Sequence, residues 1–226
     1  VDYRSEIALL SEHIARLAQA NELDLPVPSC PEWTLGDLVF HIGSVHATWA
    51  KIIEEASPNT HHQHPVDDVT DDLLVVWFKN HTKALLKSMA EAVPEARCWT
   101  WWGEPRTVLA VERHQVQEAA IHLWDVQNSL GAAPALDRDI ARDGVAEFLL
   151  VQREFMTLPT DARISLVAND APESWFVGAP GAHDVALTGS SSDVVLVLHG
   201  RLAMSALDVV GDVGIAHEWL SSFDLS

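Results

Sequence analysis

Through the N-terminal part of the chain apolar residues recur at three- and four-residue steps, and towards the C-terminus at two, so the pattern predicts helices followed by a region containing strands. Ile7, Leu10, Ile14 and Leu17 make one apolar stripe, which predicts an amphipathic helix over roughly residues 2–21. Pro26, Pro28 and Pro31 forbid its continuation and mark an ordered loop. Thr34 stands three before Asp37, the spacing of a capping box, and predicts a second helix from Leu35 to about Ala56. A third helix is expected over Asp68–Ala92, burying Leu73, Leu74, Trp77, Leu85, Leu86 and Met89, with Pro94 ending it. A fourth, over about Val108–Leu130, carries Leu109, Val116, Ala119, Ala120, Leu123 and Val126 and stops at Gly131. A fifth is expected over Arg138–Met156.

Beyond it the segments 163–168, 174–177 and 183–187 alternate like short strands, so a domain boundary is expected near Pro159, dividing the chain into 1–158 and 159–226. Ser190 to Asp193 can cap a helix running to Gly200, Leu207–Val210 is a candidate last strand, and Ile215–Ser222 a terminal helix. Hydrophobic residues at 48% and charged residues at 21% leave enough apolar surface for a real core. The formal charge of −19 repels phosphate backbones and anionic headgroups, which argues against nucleic acid and membrane surfaces as partners. Charges interrupt the first 20 residues and every later apolar run, so neither a signal peptide nor a spanning helix is expected. Two cysteines, Cys30 and Cys98, make no disulfide framework and no paired thiolate site; a reducing, cytoplasmic setting is expected.

Glu118 and His122 lie four apart in the fourth helix, so both can face one cation. With 12 His and 33 acidic residues in 226 positions, about two such acid-x-x-x-His pairs are expected by chance. Asp37/His41 and Glu118/His122 are the two present, so spacing by itself proves nothing and favours a solvated helix face.

The text around the pairs carries more. Pro31-x-Trp33-Thr34, followed by Asp37-Leu38-x-x-His41-Ile42, resembles the first signature of the DinB-like, mycothiol-dependent maleylpyruvate isomerase family. Glu118-x-x-x-His122-x-x-Asp125 resembles its second, and Asp184–Asp193 through Gly200-Arg201 its smaller C-terminal domain, all in family order. The resemblance implies an α+β protein: a DinB-like up-down four-helix bundle followed by a small α/β domain. It implies His41, Glu118 and His122 as ligands of zinc or another divalent metal, and mycothiol as thiol cosubstrate. Two imidazoles and a carboxylate suit zinc, and three protein ligands leave a position open. In the family's reaction the thiolate adds to the double bond of maleylpyruvate, rotation follows, and expulsion of the thiol gives the fumaryl isomer; related members transfer the thiol to other electrophiles. A non-catalytic metal-binding, sensor or partner-binding protein is the alternative, and a zinc hydrolase a third. The oligomeric state stays open.

The same resemblance gives Arg201 a catalytic part as a cation for a carboxylate substrate, with Arg113 near the ligand helix. Gln117 stands where many relatives have His, and His114 is a candidate substitute or an exposed residue. Asp125 can accept from an imidazole or cap a helix, the structural role being preferred. His46, five after His41, points about 140° away from it. His61, His62 and His64 are expected to be solvated. Trp33, Trp49, Trp77 and Trp124 are core candidates, and Trp99, Trp101 and Trp102 either wall the pocket or pack the loop.

Overall fold

The structure, a computed structural model, describes residues 1–56, 69–158, 162–179 and 183–223. The helices are α1 (Tyr3–Gln19), α2 (Leu35–Glu55), α3 (Asp71–Glu91), α4 (Val108–Ser129) and α5 (Arg138–Val151). Strands β1 (Ala162–Ala168), β2 (Ser174–Gly178) and β3 (His183–Gly189) follow, then α6 (Ser191–Leu198), β4 (Asp208–Gly211) and α7 (Val213–Leu220). Caps set most starts. Asp2, Thr34, Thr107, Asp137, Ser190 and Asp212 each accept from an amide of the first turn. At α2 the capping box is complete: Thr34 Oγ1 accepts from the Asp37 amide at 3.2 Å and the Asp37 carboxylate from the Thr34 amide at 2.8 Å. Gly131, with φ +76°, supplies the left-handed residue past α4. The fifth helix ends earlier than Met156, because Gln152–Glu154 tightens into a 3-10 turn.

Two compact units divide the chain, Val1–Pro134 and Ala135–Ser226. The first is the four-helix bundle. Around it α1 and α2 each pack on both α3 and α4, while α3 and α4 barely touch. The 20–34 and 92–107 connections are therefore long because each crosses the bundle. Ile14, Ala15, Ala18, Val27, Leu35, Leu38, Ile42, Leu74, Phe78, Leu123 and Val126 form its core. Gly43 lets α3 come close, since a Cβ there would lie 2.2 Å from the Trp77 ring. Two expected core residues are corrected: Leu73 and Leu109 are exposed, each on the outer side of its helix near the start, and Phe78 is buried instead of Leu73. Leu10, Leu17, Trp77 and Leu86 are half-buried.

The second unit has a sheet of order β2-β1-β3-β4, antiparallel except for the central β1/β3 pair. Along β1 Ala162, Ile164, Leu166 and Ala168 are buried, the alternate positions of one face. Helix α6 packs on β1 and β3, α7 on β3, and α5 on α6. Because α5 groups with the sheet, the units divide at Pro134, ahead of the change of period near Pro159 from which the boundary was expected. No described helix is long and apolar enough to cross a membrane.

Candidate metal centre

The capping box that starts α2 places His41 two turns along it, and the middle of α4 carries Glu118 and His122 one turn apart. The two helices bring these side chains together across 77 positions of sequence. His41 Nε2 lies 3.1 Å from Glu118 Oε1, His122 Nε2 lies 3.3 Å from the same oxygen, and all three donor atoms fall within 4.8 Å of one another. Zinc bonds of 2.0–2.2 Å to N and O ligands imply a tetrahedral edge of about 3.4 Å. The donor spacing thus fits one small cation. Among the described residues this is the group with that geometry.

A bracing contact lies behind the donors. His122 Nδ1 is 2.9 Å from Asp125 Oδ2, and Ser29 Oγ donates to Asp125 Oδ1 at 2.6 Å. Asp125 is fully buried. Held through Nδ1, the His122 ring presents Nε2 to Glu118, the arrangement that orients a metal-bound imidazole. The proline-rich segment that supplies Ser29 is itself tied: the Val27 amide donates to the Trp33 carbonyl at 2.9 Å and the Trp33 amide to the Cys30 carbonyl at 2.8 Å. Trp33, at its end, covers the imidazoles, with ring centroids 4.7 Å from His41 and 6.1 Å from His122. The His122 side chain is 8% exposed and that of His41 35%, so the cluster opens towards solvent on the His41 side.

Burial works to raise the Glu118 carboxyl, but the charge and hydrogen bond of His122, together with His41, outweigh it and hold the group well below the usual carboxylate range. Burial likewise opposes a charge on His122. Glu118 and Asp125 overcome it and lift the imidazole to about 9. Without a metal the His122 imidazolium is thus neutralised by the carboxylates of Glu118 and Asp125 that flank it.

His41, Glu118 and His122 are brought together as expected. Asp125 is not a helix cap but the acceptor for His122, a role that the His-x-x-Asp spacing signals on a helix. Asp37 is taken by its capping box and stands outside the cluster. His46 lies away from it, fully buried against Thr82. His114 is half-buried among Trp49, Trp101 and Trp102 rather than exposed. Gln117 is buried, and Arg113 is turned from Glu118 by five helical positions. Arg201 belongs to the second unit, where it donates to the His199 carbonyl at 2.9 Å. Burial pushes the Cys98 thiol up to about 11, which leaves it unreactive at neutral pH. His61, His62 and His64 lie outside the described residues.

Residues 3–127 match the family described as the mycothiol maleylpyruvate isomerase N-terminal domain. Two uncharacterized proteins from two strains of Mycobacterium tuberculosis are each 26% identical over 243 aligned positions, covering 97% of this chain and 91% of theirs. In fold the chain is similar to the crystal structure of the mycothiol-dependent maleylpyruvate isomerase, with a TM-score of 0.73 at 16% identity over 94% of this chain and 93% of that one. A mutant of that enzyme with alanine in place of a histidine gives the same TM-score at 15% identity and the same coverage.

Proposed function

The chain belongs to the mycothiol maleylpyruvate isomerase N-terminal domain family, and on that premise we propose that it is a cytoplasmic enzyme in which His41, Glu118 and His122 hold a divalent cation, zinc by preference, and mycothiol serves as cosubstrate. The observation that carries the reading is the donor set itself: two imidazole nitrogens and a carboxylate oxygen within 4.8 Å, one imidazole braced from behind by a buried carboxylate. Bound zinc stabilises a thiolate over a thiol near neutral pH and thereby provides a nucleophile. The chain's own residues hold and orient. Asp125 fixes the tautomer of His122, Trp33 shields the imidazoles from water on one side, and the more exposed edge at His41 admits a ligand. The proposed reaction is addition of the thiol to an electrophile, either for cis–trans isomerisation of a maleylpyruvate-like substrate or for thiol transfer. The catalytic part of Arg201, as the cation meeting a substrate carboxylate, belongs to the same proposal and rests on the family resemblance.

Metal content of the purified protein and of His41→Ala, Glu118→Ala and His122→Ala, measured beside loss of mycothiol thiol with maleylpyruvate and a panel of electrophiles, tests the reading. One zinc per chain, lost in each variant together with thiol turnover, is the expected result. Metal retained in all three variants would sink the site, and zinc without thiol turnover would leave a metal-binding protein without this chemistry.

A further inference from the structure

Trp101 and Trp102 of the loop before α4 and Trp49 of α2 gather around His114, which stands one turn before Glu118 on α4. Trp102 is 1% exposed and its indole donates to the Pro105 carbonyl at 3.1 Å, anchoring the loop before the helix. The loop is tied again by Thr100 Oγ1 to the Trp102 carbonyl at 2.8 Å and by the Cys98 amide to the Arg106 carbonyl at 3.2 Å. Trp101 sits between these tethers and is 40% exposed. Packing accounts for Trp102 and for buried Trp49. The Trp101 indole, by contrast, is held by the tethered loop with part of its apolar face in water, where a stacking ligand can cover it.

The rings make a corner. The Trp101 plane is at 90° to Trp102 with centroids 5.3 Å apart, and at 73° to His114 with centroids 5.7 Å apart. His114 lies 4.8 Å from Trp102 and 6.1 Å from Trp49. The loop's carboxylate, Glu104, is bound by Arg97 at 2.5 Å and by the Arg106 amide at 3.1 Å. The corner thus offers apolar faces and an imidazole instead of a carboxylate. Such a lining suits an uncharged ring bearing hydroxyls, whose C–H face stacks on indole while its hydroxyls meet imidazole nitrogens.

Its position ties it to the metal centre. His41 stands beside Glu118 and His122, and Trp49 beside His114, so α2 and α4 run in opposite senses and both lead from the donors towards the corner. Four residues of α4 and eight of α2 correspond to about 6 and 12 Å of helix. A cysteinyl arm and the ring it carries span that range. Resting on the thiol chemistry above, we propose that Trp101 and the neighbouring His114, backed by the buried Trp102 and Trp49, bind the hydroxylated-ring half of the thiol cosubstrate while its sulfur reaches the donor cluster.

The test uses the wild type, Trp101→Ala and Trp101→Phe, with two measurements. Saturation-transfer NMR follows binding of N-acetylglucosaminyl-inositol, the ring half of mycothiol with its nitrogen acylated and without its thiol. Thiol kinetics compare mycothiol with N-acetylcysteine, which lacks the rings. The disaccharide is expected to bind the wild type and Trp101→Phe and to be lost in Trp101→Ala. In Trp101→Ala KM for mycothiol rises about five- to tenfold, with kcat within about twofold, and KM for N-acetylcysteine is unchanged. Disaccharide binding absent from the wild type, or equal in wild type and Trp101→Ala, overturns the proposal, as does an equal rise in KM for both thiols. Failure of the proposed function reads differently, as no turnover of either thiol by the zinc-loaded wild type, and leaves the NMR result to decide the corner.

Discussion

Two buried histidines in one bundle sit in opposite electrostatic settings. His122 is flanked by two carboxylates, Glu118 and Asp125, which lift it to about 9 against the effect of burial. His46, between α2 and α3, has a hydroxyl for a partner: its Nδ1 is 3.0 Å from Thr82 Oγ1, which in turn donates to the Phe78 carbonyl at 3.1 Å. Because that hydroxyl proton is committed, His46 donates from Nδ1 and is neutral, and burial lowers its pKa to about 4 in spite of the Glu118 charge. Burial is common to both. The number and distance of carboxylates decide whether the interior accepts a positive charge, and only the His122 region is built to hold one.

Removing the carboxylate behind His122 is the strongest way to break this contrast. Asp125→Asn keeps the shape and an acceptor but removes the charge behind the ring, and zinc affinity is expected to fall about 10- to 100-fold, read by competition with a chromophoric chelator. Unchanged affinity would leave Asp125 a packing residue.

The second test works on the neutral side. The folded protein holds His46 at about 4 and the unfolded chain near 6.5, so between those values the unfolded state binds more protons. Stability is full above about 6.5 and falls as pH drops towards 4, by an amount on the order of 2 kcal/mol. His46→Phe, stacked as His46 is on Phe78, is expected to lose this component. Denaturant unfolding at pH 7 and pH 4.5 measures it, and parallel slopes for the two proteins would refute it.

The smallest effect belongs to Gly43, which lies on α2 between His41 and His46 and sets the approach of α3. Gly43→Ala is expected to destabilise by about 1 kcal/mol, the displacement of the Trp77 ring outweighing the gain in helix propensity. A raised melting temperature would show that the ring moves at no cost.

Much of the local structure was legible in advance. The Thr34–Asp37 box, the Gly131 stop and the Ser190 cap all stand where turn and cap chemistry put them, since each depends on groups a few residues apart. Burial within a helix was less legible. Leu73 and Leu109 turned outward because periodicity gives a stripe but not its edges, and α4 buries Gln115, Gln117 and Asp125 as well as apolar residues. The change of period near Pro159 marks the passage from helix to strand, whereas the division into compact units follows the partner on which α5 packs.

The candidate site divides in the same way. Residue types, the one-turn spacing of Glu118 and His122, and the caps that start α2 and α4 are properties of the sequence, since they depend on near neighbours along one helix. Tertiary structure alone decided that His41 meets Glu118, that Ser29 reaches Asp125, that His46 is sealed away neutral, and that Trp101 faces water beside a buried Trp102. Those outcomes depend on how helices far apart in the chain pack together, a sum of many small contacts that no local pattern encodes.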